Sequence, residues 1–291
     1  MNQKNKSGEV WEHLNIIKLG GSVISDKSVP FKARKGDIDR LAREIAGILP
    51  LIEYRLIIVH GGGSYGHPVA SKYKIKEGAC EGDFSTLSRQ RLGFAQTKKA
   101  MIELNSIIVD SFLGVDVPVV PIPPSAISVT KNERISSFDT VTLYKALEGG
   151  FVPLLHGDPV FDEEKGFTIL SGDQIISYLA RVMGAERVLI GTDVDGLYTE
   201  DPKINPDAKP LDILKYHQDY EAILAKLTKD KERVKVEKIF IDVTDQMVGK
   251  ISEIIDIWKR GIEIIIFNAR KPNYLTRIFL NKKVPCTRLI K

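Results

Sequence analysis

Arg55-Leu56-Ile57-Ile58-Val59-His60-Gly61-Gly62-Gly63-Ser64-Tyr65-Gly66-His67 reads as a β-strand running into a glycine-rich turn. Residues 55–59 are nearly all apolar rather than alternating, the pattern of a strand covered on both faces in a mainly parallel sheet. Three successive glycines at a strand end are costly in chain entropy, so they mark a place where the backbone must approach something closely. Successive N–H groups in such a turn suit an oxyanion. A histidine stands at each end of the turn, and His67 can donate a hydrogen bond to a phosphate, more strongly when protonated.

The same grammar recurs outward from this stretch. Short β-rich runs at 14–19, 117–122, 152–155, 187–190 and 263–267 alternate with helix-like segments. Ile38, Leu41, Ile45 and Ile48 or Leu49 recur at helical spacing, with Asp37 placed to cap the start. A longer helix is expected over 85–112 and another over 173–183. The β-α alternation predicts a doubly wound α/β fold, in which ligands collect where strand carboxyl ends meet helix amino ends. Residues 1–12 read as a loose tail with Trp11 as its candidate anchor, and a soft lobe boundary falls near residue 180.

The 291 residues suffice for one large domain or two lobes sharing a sheet. Hydrophobic residues make up 43% and charged residues 27%, ordinary for a globular protein. The net charge of +4 is too small and too dispersed to argue for nucleic acid, although it suits an anionic substrate. Cys80 and Cys286 lack metal-ligand or CxxC spacing, which points away from a disulfide framework and toward a reducing cytoplasm. No run approaches the ~18 apolar residues of a membrane span, and the first dozen residues lack the apolar centre of a signal peptide.

Further motifs carry candidate chemistry. Lys18-Leu19-Gly20-Gly21-Ser22 follows the first strand and offers backbone N–H groups plus a point charge; Lys27 is a second cation nearby. His156-Gly157-Asp158 follows another strand, and Ser171-Gly172-Asp173 precedes a helix. Asp173 is there either an N-cap or a carboxylate that orients two lysines. Gly191-Thr192-Asp193-Val194-Asp195-Gly196-Leu197-Tyr198 leads into Asp201-Pro202-Lys203, a turn suited to a nucleotide or a metal ion. In Asp242-Val243-Thr244-Asp245-Gln246-Met247-Val248-Gly249-Lys250, the lysine sits near a helix amino end, where it disfavours the helix unless a polyphosphate lies there. Neither a GxxxxGK[ST] loop nor a GxGxxG after the first strand occurs.

Taken in this order, these motifs resemble the amino acid kinase superfamily over about residues 14–268. Gly63-Ser64-Tyr65-Gly66-His67-Pro68, His156-Gly157-Asp158 and Ile169-Leu170-Ser171-Gly172-Asp173 resemble its isopentenyl phosphate kinase family in particular, and the first is shared in part with fosfomycin kinases. The resemblance implies a three-layer αβα sandwich with a mainly parallel open sheet. It implies an acceptor-binding lobe over 13–180, a nucleotide-binding lobe over 181–291, ATP and Mg²⁺ as cofactors, and a homodimer. The expected activity is ATP-dependent conversion of isopentenyl phosphate to isopentenyl diphosphate for isoprenoid synthesis. The alternatives are a kinase for another small phosphate or phosphonate, or an impaired nucleotide or metabolite sensor.

Carried over by position, Lys18, Gly20, Gly21 and Ser22 hold ATP phosphates, and Lys27 stabilises the transferring group. Gly62 faces the acceptor and Gly63 the ATP. His67 binds the acceptor phosphate beside Gly157, and Asp173 orients Lys18 and Lys250. Asp193, Tyr198 and Lys203 meet the nucleotide, whose phosphates Lys250 reaches. Phe94, Thr97, Pro159 and Ile169, with Leu87, Leu92 and Met101, are candidates for an apolar tail pocket. Where the family has Gly-Gly, this chain has Asp245-Gln246. That implies a rearranged loop, an aspartate acting through Mg²⁺, or weakened ATP binding.

Overall fold

The computed structural model describes residues 13–53, 55–199, 205, 207–219 and 245–291. The elements run β1 (Asn15–Leu19), α1 (Gly21–Ile24), α2 (Lys35–Ile48), β2 (Leu56–His60), α3 (Gly63–Lys72) and α4 (Phe84–Leu113). They continue with β3 (Val119–Pro121), β4 (Ser128–Lys131), β5 (Arg134–Phe138), α5 (Val141–Glu148), β6 (Val152–His156), β7 (Asp158–Asp162), β8 (Gly166–Leu170) and α6 (Gly172–Met183). The remainder is β9 (Arg187–Thr192), β10 (Leu197–Tyr198), β11 (Pro210–Leu211), β12 (Ile213–Lys215), α7 (Asp245–Lys259), β13 (Glu263–Asn268), α8 (Tyr274–Phe279) and β14 (Cys286–Ile290).

The main sheet has eight strands in the order β12-β14-β13-β9-β1-β2-β6-β3. From β13 to β3 every neighbouring pair is parallel; only the β13–β14 pairing is antiparallel. Successive strand residues feed two separate cores. Ile16, Ile57, Val188 and Ile264 pack with Ile176 of α6 and Trp258 of α7, whereas Ile17, Ile58, Leu189 and Ile265 pack with Leu41 of α2 and Leu104 of α4. Helices therefore cover both faces, which is why the strands are continuous apolar runs. This is the expected three-layer sandwich. Position 180 lies within α6, and β1 pairs on one side with β2 and on the other with β9, so the sheet runs unbroken past it.

Two local expectations are corrected. Asp37 is not the cap of α2; that helix begins at Lys35, and Asp37 in its first turn accepts from Arg40 (3.2 Å). The segment after Gly62 is not a loop but the start of α3. The helix expected over 85–112 spans Phe84–Leu113, with Asp83 accepting from the Ser85 and Thr86 backbones. Residues 1–12, Trp11 included, lie outside the described residues. Among the described residues, no helix is long and apolar enough to cross a membrane.

A second sheet, β5-β4-β7-β8, was not expected from the sequence. Its strands are short and carry polar residues, so periodicity does not announce them. Buried Asp162 holds it together, accepting from the backbones of Asn132 (3.1 Å), Glu133 (2.9 Å), Glu164 (3.0 Å) and Lys165 (2.8 Å) and from Thr130 Oγ1 (2.8 Å).

Candidate active site

The carboxyl ends of β1, β2, β6 and β9 open into one cleft of about 1470 Å³, larger than the ~300–1,000 Å³ of an ordinary ligand pocket. It has room for a donor and an acceptor together. Backbone bonds stitch the strand ends along its floor: Gly20 N to Gly191 O, Gly61 N to Leu19 O and Gly157 N to His60 O, each 3.0 Å. Two glycines are required by close approach. A Cβ on Gly21 would stand 2.7 Å from both N and Cα of Gly63, and one on Gly63, whose φ is +49°, would stand 2.0 Å from Ser25 Oγ. Part of the glycine demand therefore comes from one loop meeting another, not from an anion alone.

Lys18, the penultimate residue of β1, is almost wholly buried, and its Nζ lies 2.5 Å from Asp173 Oδ1. Asp173 sits in the first turn of α6 without capping it; Ser171 is the cap, in a reciprocal box with Gln174. Asp173 is therefore not the cap but the partner of Lys18. Ser22 Oγ donates to Asp193 Oδ1 (3.0 Å), tying the first loop to the turn after β9. Lys27 stands exposed on the loop after α1, and His67 is exposed on α3; both line the cleft.

Gly20, Gly21, Ser22, Gly62, Gly63, Gly157, Asp193 and Tyr198 also line it. So do Thr97, Met101, Pro159 and Ile169, which form an apolar corner next to Gly62, whose Cβ position would lie 3.5 Å from Met101 Sδ. The Phe94 ring stacks on Phe161 at 5.3 Å and meets Phe167 at 5.8 Å, on the same two strands, β7 and β8, that carry Pro159 and Ile169. Leu92 is 55% exposed and does not line the cleft. Helical spacing selected Leu92 without saying which way it faced. Lys203 lies outside the described residues, as do the side chains of Asp245, Gln246 and Lys250. The backbone of α7 descends toward the start of β13, so its amino end is on the cleft side, where Glu253 lines the cleft.

Sequence reading missed several lining residues. Arg134 of β5 pairs through Nη1 with both carboxylate oxygens of Glu253 (2.8 and 2.7 Å), bridging the second sheet to α7. Lys165, paired with Glu133, and Lys74 and Lys76 add positive charge to the wall. Asp158, fully buried, accepts from Lys98 Nζ (2.5 Å) and the Ser125 backbone (3.0 Å), which fixes the start of β7 beside Gly157. Asp158 belongs to the His156-Gly157-Asp158 motif; the others sit on the small sheet or far apart in sequence, and no local motif joins them.

His60 and His156 are not ligand-facing. Their rings lie 5.2 Å apart beneath the glycine turns, both essentially without solvent exposure. His60 bonds through Nδ1 to the Gly61 carbonyl (3.1 Å) and through Nε2 to the Asn105 side-chain amide (3.0 Å). Burial, and then the neighbouring His156, push the His60 pKa down to about 3; burial pushes His156 down to about 4. Both are neutral in the fold and protonate in the unfolded chain near the ordinary histidine value of 6.5. The unfolded state thus binds more protons as pH falls below 6.5, and stability drops by ~1.4 kcal/mol per pH unit for each histidine. Urea unfolding at pH 7 and pH 5 should show this loss, and His156→Gln should roughly halve the histidine-derived slope. An unchanged slope would discard the assignment.

The comparisons with known proteins agree with this geometry. Residues 13–268 match the profile of the amino acid kinase family. The isopentenyl phosphate kinase of Methanothermobacter thermautotrophicus is 39% identical over 94% of this chain and 98% of its own length. That of Methanocaldococcus jannaschii is 36% identical over 92% and 96%. A solved isopentenyl phosphate kinase structure superposes with a TM-score of 0.80 at 36% identity, covering 95% of this chain and 99% of the other. Stitched glycine turns, a buried lysine–aspartate pair and full-length similarity converge on one assignment: the chain belongs to the amino acid kinase family, among its isopentenyl phosphate kinases.

Proposed function

We propose that the protein transfers the terminal phosphoryl group of ATP to isopentenyl phosphate, giving isopentenyl diphosphate and ADP. The observation that carries this reading is the single cleft in which Lys18, Lys27 and His67 stand beside an apolar corner of Thr97, Met101, Pro159 and Ile169. Phosphoryl transfer needs in-line placement and charge neutralisation more than covalent chemistry. A phosphate-monoester acceptor is already anionic, so its requirement is for cations that offset repulsion from the donor. Lys18 and the N–H groups of the Gly20–Gly21 and Gly63 turns serve the ATP side. His67, Gly62 and Gly157 serve the acceptor phosphate, and Lys27 serves the transferring group. Asp193, Tyr198 and the turn between them serve the nucleotide.

Mg²⁺ fits this set as an ion carried by the ATP phosphates, with Asp173 and Asp193 as the lining carboxylates nearest in chemistry to its needs. Among the described residues no group of three or more acidic, histidine or cysteine side chains forms a dedicated metal cage. When bound, the ion neutralises charge on the donor phosphates. A homodimer in the cytoplasm completes the reading.

An acceptor panel scored by ADP release tests it. Isopentenyl phosphate should exceed fosfomycin and other small phosphates in kcat/KM. His67→Ala should raise the KM for isopentenyl phosphate by roughly 10- to 100-fold, the worth of one charge-assisted hydrogen bond, with the KM for ATP little changed. Equal use of all acceptors, or an unaltered acceptor KM in the variant, would reject the assignment.

A further inference from the structure

α3 contains a proline, Pro68, in its interior. Proline has no N–H, so the carbonyl four residues earlier, that of Ser64, loses its helical donor. That carbonyl is taken instead by the backbone of Phe31, whose N–H donates to Ser64 O at 3.1 Å. The Ser64 hydroxyl lies 3.3 Å from Lys32 N and 3.4 Å from Lys32 O, and Ser64 N donates to Ser25 Oγ at 2.8 Å. Ser25 Oγ in turn donates to Gly21 O (2.8 Å). Next along α3, Tyr65 meets the Phe31 ring edge-on at 5.4 Å and bonds to the Ala33 backbone.

These contacts bracket one segment. Its base is closed by the Ser25–Ala33 bridge and by Asp26 N donating to Lys32 O (2.8 Å). Its far side is held at Phe31 and Lys32 by Ser64. Between the two clamps lies Lys27, exposed at the cleft. Ser64 itself is 3% exposed and three residues from His67 on the same helix. The helix that presents His67 to the acceptor therefore also fixes the loop that presents Lys27.

We propose that Ser64, with the carbonyl that Pro68 leaves available, is a positioning residue for Lys27. It couples the placement of the transferring-group lysine to that of the acceptor-side helix. This rests on the reading of Lys27 given above. A flexible lysine on an unanchored loop would lose orientation in the transition state while the binding of either substrate stayed the same.

The test is a kinetic cycle on the full-length protein, with hydrogen exchange of the loop. Ser64→Ala, which removes the hydroxyl contacts to Lys32 and keeps the carbonyl that Phe31 uses, should lower kcat about tenfold, with both KM values within about threefold of wild type, and should speed amide exchange at Lys32. In a Lys27→Ala background the same change should alter kcat by less than about twofold, because the group it positions is gone. Phe31→Gly, at a 48% exposed position with φ +55° where glycine fits, should give a smaller kcat loss that likewise vanishes without Lys27 and keeps the proposal testable if Ser64→Ala does not fold. A kcat loss that persists in the Lys27→Ala background, or Ser64→Ala with normal kcat and normal loop exchange, overturns the clamp. A Lys27→Ala variant with wild-type kcat overturns the role of Lys27 itself, and the positioning role falls with it.

Discussion

Lys18→Met should lower kcat/KM for phosphoryl transfer by about 10³-fold, the scale of losing a preorganised charge at a transition state. Lys18 is the last polar residue on the face of β1 that carries Ile16, and that face packs against α6. Its Nζ is held 2.5 Å from Asp173, and its Cε lies 3.4 Å from where a Cβ of Gly172 would stand. The cation is thus fixed before any ligand arrives. Methionine keeps most of the volume and removes the charge. It also leaves the Asp173 carboxylate without its lysine. A fully buried pair broken in this way costs ~3–5 kcal/mol, but the Asp173 side chain retains 15% exposure toward the cleft and can hydrate there, so ~1–3 kcal/mol is expected. Adding Asp173→Asn should restore much of that stability and none of the activity. Steady-state kinetics and urea unfolding separate the two effects. A Lys18→Met enzyme within tenfold of wild type would refute the assigned role.

Lys27→Ala should give a different signature. We expect kcat to fall about 10²- to 10³-fold while the KM for ATP and for isopentenyl phosphate stays within about threefold. The side chain stands exposed on its loop, so its removal should shift unfolding by no more than ~0.5 kcal/mol. Lys18 combines a binding role with a structural partner; Lys27 lies on a segment whose anchors, Ser25, Phe31 and Lys32, are other residues. A large rise in KM with kcat preserved would move Lys27 from the transferring group to ground-state binding. Single-turnover measurements with saturating substrates distinguish the two.

Much of the fold was legible because doubly covered strands write themselves as apolar runs. Each of the six expected strands appears within two residues at either end, and Ile38, Leu41, Ile45 and Ile48 all face the core from α2. Errors arose where local chemistry has two readings. Asp37 looked like a cap, and Asp173 offered that reading beside the one of a lysine partner, because an acid at a helix start serves either purpose; in each case it lies within the first turn and pairs with a base. The glycines announced close approach but not to what, and in the fold they meet one another across strand ends as well as facing the cleft. His60 and His67 stand seven residues apart in one motif, yet one is sealed beneath the sheet ends while the other lines the cleft.

The sequence by itself determined the strand–turn–helix units and therefore which turns lie at strand carboxyl ends, because hydrophobic periodicity and glycine placement are local properties of the chain. Only the tertiary structure decided which turns become neighbours: strand order sets β1 between β2 and β9 and brings Ser22 to Asp193 across 171 residues. It also decided the second sheet with its Arg134–Glu253 bridge, the stacking of Phe94 on Phe161, and the fastening of the Lys27 loop to α3. Those contacts join residues far apart in the chain, and long-range pairing leaves no periodic trace in a single sequence.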